Sequence, residues 1–434
     1  TAVAIYSNED INALFRTEAD ESYPIGDNYS PLGAYLNIQR IIDIAKTHNV
    51  DAIHPGYGFL AENAEFAREC EKAGIKFIGP KSDILDMMGD KLSAKEMALA
   101  CNVPTIPGTE KPLSGKEEAE KLAAEFGFPV ILKAAAGGGG RGMRRCDSIE
   151  EVGVNFELVK AEAKKAFGND DIFMEKFLVE PKHIEVQILG DEHGNIVHLY
   201  ERDCSLQRRF QKVVEFTPAF SLPPEVKQSI LDDSLKLAKH VNYNNAGTLE
   251  FLVDRGGNHY FIEMNPRIQV EHTITEMCTG IDLVRSQILV AEGYELSDEM
   301  IGIKSQEDIK QNGYAIQCRV TTEDPSNNFA PDTGKITYFS PGGFGVRLDG
   351  ATSGVGSVIS PYYDSLLVKI TCWDNTFKNA CKKTLRAIQE IRISGVKTNI
   401  GFISNILTNP TFIEGKCHTK FIDETPELFN LDNG

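Results

Sequence analysis

Apolar and polar positions change rhythm along this chain of 434 residues. Up to about residue 85, short apolar runs predict strands, whereas apolar side chains recurring every three or four positions predict helices. The strand-like runs are "TAVAIYS" and "IKFIGP", and the helical ones "GAYLNIQRIIDIAKTHN" and "ENAEFARECEKAG". Their alternation predicts a parallel α/β layer. From Lys91 to Gly293 the texture becomes strand pairs, "KHIEVQILGDEHGNIVHLYERD" and "GTLEFLVDRGGNHYFIEMN". Each breaks at a Gly/Asn/Asp cluster, which predicts antiparallel hairpins. Amphipathic helices, "SGKEEAEKLAAEFG" and "LPPEVKQSILDDSLKLAKHVNY", flank them. Beyond the polar stretch "KSQEDIKQNG", a third region mixes strands, "YAIQCRVTTED" and "LLVKITCW", with a predicted helix, "NACKKTLRAIQEIRIS". The expected class is therefore α/β, α+β overall.

A length of 434 residues exceeds what one core organises, so two or three domains are expected. With 41% hydrophobic and 25% charged residues the composition is that of a globular protein. No apolar run approaches the ~20 residues of a membrane helix. The formal charge of −18 argues against nucleic acid or an anionic membrane as partner. Nine cysteines show neither a CxxC pair nor a metal spacing, so they are expected to be reduced and the compartment intracellular. The chain opens on a strand without an initiator Met, which reads as a start in mid-domain.

Four stretches carry candidate chemistry. In "KAAAGGGGRGMRRC", Gly137, Gly139 and Gly142 satisfy GxGxxG, but a dinucleotide fingerprint must open a helix directly. Here "GMRRCD" reads as a strand, and a helix begins only at about Ser148. The loop, with Gly138, Gly139 and Gly140 at its centre, thus joins two strands, as a glycine flap over phosphates does. Lys133 at the end of the incoming strand suits phosphate oxygens. A flexible surface hairpin explains the same composition. No Gly-Lys is followed by Ser or Thr, so no Walker A loop is present.

Glu250 lies inside an apolar strand, and Glu263 and Asn265 leave one face of the returning strand. Three hard oxygen donors on adjacent strands suit Mg²⁺, and a glutamate on a solvated face is the plain alternative. In "PRIQVEH", residues 266–272, an extended backbone would point Arg267, Gln269 and Glu271 into one place, as a small planar anion and a general base require. The cation-rich "ERDCSLQRRFQKVVE" reads as a solvated face, part of which could line an anionic site.

Taken together, "HPGYGFLAEN", "MGDKLSAK", "KAAAGGGGRGM", "MEKFL", "ERDCSLQRR", "FIEMNPRIQVEH" and "PGGFGVR" resemble the biotin carboxylase family of the ATP-grasp superfamily, in the same order. "NPRIQVEHTITE", "CRVTTEDP", "GVKTNI" and "FIDETPELF" resemble its pyruvate-carboxylating branch. The resemblance implies three parts: a pre-ATP-grasp domain, 1–90, lacking its first strand; an ATP-grasp domain, 91–293, with a lid at about 110–180; and a biotin carboxylase C-terminal domain, 308–429. It implies that Lys91 and Lys133 contact ATP phosphates under the glycine lid, and that Glu175, Lys176 and Leu178 frame the adenine, with His183 and Gln207. It assigns Mg²⁺ (or Mn²⁺) to Glu250, Glu263 and Asn265, and bicarbonate to Lys212, Arg267, Gln269 and the Val270 backbone. Glu271 is then the base, and Arg347 the stabiliser of charge on the biotin ureido oxygen.

The implied reaction phosphorylates bicarbonate with ATP to carboxyphosphate, whose CO₂ passes to biotin; with pyruvate as final acceptor it forms oxaloacetate and serves anaplerosis and gluconeogenesis. No "MKM" occurs, so biotin is expected on a carrier domain outside this chain, with a carboxyltransferase on the same parent polypeptide. A homo-oligomer is expected, in the cytoplasm, with a mitochondrial location left open. Phe210 stands where the family has histidine in "RRHQK", which implies a weaker nucleotide site. The competing readings are another acyl-CoA carboxylase, another ATP-grasp ligase, and a nucleotide-binding regulatory module with impaired catalysis.

Overall fold

The computed structural model describes residues 1–434 except 27, 135–142, 168–169, 341–342, 351–353 and 432–434, and omits the side chains of 91–92 and 165–167. Gly138, Gly139 and Gly140 thus lie outside the described residues. Lys91 opens the helix Lys91–Ala100, its side chain also outside.

The N-terminal part is parallel, as its rhythm predicts. Val3–Tyr6 pairs with Glu21–Pro24, and Ala52–Ile53 with Lys76–Phe77. The stretch "GAYLNIQRIIDIAKTHN" folds as two helices, Pro31–Tyr35 and Ile38–Thr47. Asn37 divides them because its side chain accepts a hydrogen bond from the Arg40 amide and so starts a new helix. Ile41, Ile42, Ile44 and Ala45 then fall on one buried face.

Residues 116–176 build a small layer of their own. Met143–Cys146, Val130–Ala134 and Ile172–Lys176 form a three-stranded antiparallel sheet, covered by helices Lys116–Phe126 and Ile149–Phe167. Val130, Leu132, Phe156 and Met174 fill its separate core. The strands that flank residues 135–142 pair antiparallel, Lys133 opposite Met143, as the sequence predicts for the segments on either side of the glycine run.

The centre is an eight-stranded antiparallel sheet. In spatial order its strands are His259–Asn265, Asn245–Val253, Lys182–Gly190, Ile196–Arg208, Gln211–Thr217, Tyr314–Thr321, Leu366–Asp374 and Val346–Gly350. Both predicted hairpins are present. The sequence reading separates the second and third regions at 293–308, yet the sheet runs across that border. Strand 314–321 docks antiparallel on strand 211–217, satisfying backbone groups that an edge would leave unpaired. The predicted helix "NACKKTLRAIQEIRIS" stops at Glu390, and Arg392–Ser394 instead pairs with Tyr338–Ser340.

Among the described residues no helix is long and apolar enough to cross a membrane. All nine cysteines are free and buried.

Candidate functional site

Strand 196–208 is buried almost throughout, although its sequence carries His198, Glu201, Arg202, Asp203, Ser205 and Gln207. Polar groups inside a sheet persist only when hydrogen-bonded. Arg202, wholly buried, satisfies that condition with its whole guanidinium. It donates to Gln187 Oε1 at 2.7 Å, Gln269 Oε1 at 2.8 Å, Thr248 at 3.1 Å, Thr275 at 3.2 Å and Glu185 at 3.2–3.3 Å. The register makes this possible: Glu185 stands opposite both Arg202 and Glu250 on the neighbouring strands, and Glu250 opposite Glu263.

Around this row the acidic and basic groups converge. Lys212 Nζ reaches Glu185, Glu271 Oε1 at 2.7 Å and Glu250 Oε1 at 3.2 Å. Glu250 Oε1 also accepts from Asn265 Nδ2 at 2.9 Å and Gln269 Nε2 at 3.0 Å. His183 Nε2 lies 2.9 Å from Glu250 Oε2, and its Nδ1 lies 2.7 Å from Gln207 Nε2. Arg319, from the third region, brings its guanidinium to Glu215 and, at 2.9 Å, to Glu271 Oε2.

Burial alone would neutralise these carboxyls, but the cations win. Against burial, Lys212 foremost, with Arg319 and Arg202, holds the Glu271 carboxyl below its usual range, so the side chain is ionised at neutral pH. Lys212 does the same for Glu185, and His183 with Lys212 for Glu250. The His183 imidazole, despite burial, is raised to about 9 by Glu185 and Glu250. Glu215 follows burial instead and is raised.

Most of the sequence-predicted residues thus meet in one largely buried patch, His183, Gln207, Lys212, Glu250, Asn265, Gln269 and Glu271, with Glu263 half-buried on the strand opposite Glu250. The route differs from expectation at "PRIQVEH". The segment is an irregular turn rather than an extended strand, and Glu271 immediately precedes the helix His272–Thr279. Arg267 consequently takes partners other than Gln269 and Glu271. It donates to Asn265 Oδ1 at 3.0 Å and pairs with Glu62 of the N-terminal part at 3.2 Å. Val270 is fixed through its carbonyl, which accepts from Lys369 at 3.0 Å. Arg347 forms a fork on Asp349 and reaches Glu276 at 2.6 Å, beside the cluster rather than inside it.

The second group sits on the small three-stranded sheet. Lys133 and Glu175 pair with each other, each about a third exposed. Lys176 bonds the carbonyls of Gly127 and Phe128, and Leu178 is half-buried. The cation-rich run divides: Arg202 and Lys212 turn inward, while Arg208 and Arg209 turn outward to Asn328. Between them Arg209 and Phe210 form a two-residue hairpin turn, both with positive φ, and Phe210 is 93% exposed.

Sequence reasoning passed over Glu185, Arg202, Glu215, Arg319 and Lys369. "HIEVQ" did hold a signal, a glutamate at an inward position of a buried strand. Arg319 and Lys369 had none, because nothing local says which strand they would face.

Family models match nearly the whole length: "Biotin carboxylase, N-terminal domain" over residues 1–85, "Carbamoyl-phosphate synthase L chain, ATP binding domain" over 90–299, and "Biotin carboxylase C-terminal domain" over 317–424. The chain is 57% identical over 432 residues to a pyruvate carboxylase of Aspergillus terreus, covering 99% of this chain and 36% of that protein. It therefore spans about a third of the length of the curated relatives it matches. The biotin carboxylase subunit of a pyruvate carboxylase superposes with a TM-score of 0.90 at 50% identity, covering 99% of this chain and 94% of that one. The biotin carboxylase domain of a thermophilic 2-oxoglutarate carboxylase, solved with bicarbonate, gives 0.92 at 47% identity, covering 99% and 93%.

Proposed function

The chain belongs to the biotin carboxylase family, and on that premise we propose that it carboxylates biotin at the expense of ATP and bicarbonate, as the first half-reaction of a pyruvate carboxylase. The observation that carries this reading is the convergence of Lys212, Gln269 and the ionised Glu271 beside Glu250 on one sheet face. Lys212 and the Gln269 amide supply donors for an anion, and the Val270 peptide completes the seat with Arg267. Glu271, held as a carboxylate, takes the bicarbonate proton and leaves an oxygen nucleophile for the terminal phosphate of ATP. That attack forms carboxyphosphate and releases ADP. Carboxyphosphate then breaks to CO₂ and phosphate, the released phosphate takes the biotin N1 proton, and N1 attacks CO₂ to form the N1–C bond. Arg347 stabilises charge on the ureido oxygen during that step.

Glu250 and Glu263 stand directly opposite one another on adjacent strands. With Asn265 they offer the hard oxygen donors that suit Mg²⁺ or Mn²⁺, which would neutralise charge on the ATP phosphates. By the family resemblance the phosphates are assigned to Lys91, Lys133 and Gly138–Gly140, and the base and sugar to Glu175, Lys176, Leu178, His183 and Gln207. The functional division follows 1–90, 91–293 with a lid at 110–180, and 308–429. The carboxyltransferase and the biotin carrier belong to the parent protein beyond this chain, which works as a homo-oligomer in the cytoplasm or the mitochondrion.

Release of ADP, measured with and without bicarbonate and free biotin, tests the reading. Stimulation by both is expected. ATP cleavage indifferent to bicarbonate overturns it, and nucleotide binding without cleavage points to a regulatory module.

A further inference from the structure

We propose that Arg319 and Lys369 are positioning residues, a pair of cations from the third region of the chain that grips the base-bearing segment and aims Glu271. The inference rests on the function proposed above for Glu271. The two residues are direct cross-strand partners on strands 314–321 and 366–374. Like charges so placed destabilise a sheet, and Lys369 is only 4% exposed, so both need compensating acceptors. They find them on consecutive residues: Lys369 Nζ donates to the Val270 carbonyl at 3.0 Å, and Arg319 to Glu271 Oε2 at 2.9 Å. The next row of the same two strands continues the grip. Gln317 and Thr371, also cross-strand partners, meet the Thr273 hydroxyl at 2.5 and 2.8 Å.

Geometry separates the roles of the two Glu271 oxygens. Oε1 faces Lys212 and the buried cluster, while Oε2 is tied to Arg319. The Arg319 guanidinium is itself oriented by Glu215. One oxygen is thus anchored from the neighbouring region while the other remains on the reacting side. Because residues 266–271 are an irregular turn, no strand ladder fixes the carboxylate in their place. Preorganisation of a general base is what such an anchor supplies. Asp349, opposite Lys369 on the outer strand, balances part of the added charge.

The test compares the chain with Arg319→Gln, Arg319→Lys, Lys369→Met and Lys369→Arg. Three readouts are taken: bicarbonate-dependent ATP turnover, calorimetric ADP affinity, and hydrogen exchange of amides 268–273. Arg319→Gln and Lys369→Met are expected to lower kcat at least tenfold, with ADP affinity held within twofold and exchange of 268–273 accelerated. Arg319→Lys and Lys369→Arg should recover part of the turnover. Unchanged kcat overturns the proposal, as does loss of ADP affinity in step with turnover, which marks a merely structural role. If the unaltered chain shows no bicarbonate-dependent turnover, the proposed function fails. The exchange arm then decides the grip alone, and unchanged protection of 268–273 in both variants refutes it.

Discussion

The charged cluster on the eight-stranded sheet and the charged residues of the small 116–176 layer are built on opposite terms. On the large sheet Glu185, Arg202 and Glu271 are buried, and each has several partners drawn from different strands. On the small sheet Lys133 and Glu175 hold one another at a half-open surface, and the layer keeps its own core. The first arrangement is costly to desolvate and strongly coupled, so its geometry is held before any ligand arrives. The second is cheap to break, since exposed ion pairs contribute about 1 kcal/mol or less. A rigid charged cluster on the sheet and an easily parted ion pair on the small layer are what the difference teaches.

Glu271→Gln breaks the comparison at its strongest point. Turnover is expected to fall by about 10²–10⁴, the usual scale for a general base, while calorimetric ADP affinity is retained. Full biotin-dependent turnover in the variant would show that another group takes the proton. Next comes the contrast in stability. Arg202→Met strips donors from Gln187, Gln269 and Glu185 at once, and should cost about 3–5 kcal/mol in urea unfolding. Lys133→Ala should cost below about 1 kcal/mol, with its effect confined to ATP affinity. Similar losses for the two would dissolve the contrast.

Arg347 lies beside the cluster, so its removal should divide the two steps. Arg347→Ala is expected to lower carboxybiotin formation by about 10², the loss seen when one charge-stabilising donor is removed. Bicarbonate-dependent ATP cleavage should fall far less, and parallel loss of both would place Arg347 on the nucleotide or in the fold. The smallest expected effect belongs to Phe210. Histidine tolerates positive φ better than a bulky apolar side chain, so Phe210→His should leave stability intact. It should also restore a hydrogen bond worth about tenfold in affinity for an ATP analogue. Indistinguishable calorimetric isotherms would mean that this exposed hairpin tip stays off the nucleotide.

Much of this was legible in the chain. The 2.0 and 3.6 periodicities marked both hairpins and the helix over residues 224–240, because burial of one face is written locally in apolar spacing. Glu250, Glu263 and Asn265 were readable as a group since hairpin register follows from the turn between their strands. Glu271 was readable as chemistry but not as geometry: the backbone of 266–271 is irregular, and its direction depends on what holds it.

By itself, then, the sequence determined most of the elements, the family, the strands on either side of the glycine loop, and part of the set of donors and acceptors that meet, for each of these is a property of neighbours along the chain. Only the tertiary structure decided that one sheet runs through two sequence regions, that Arg202 is the buried hub, and that Arg319 and Lys369 reach Glu271 and the Val270 carbonyl from the far strands. The reason is range. Strand 211–217 carries no mark of which later strand will pair with its free edge, and a cation's partners are set by that pairing.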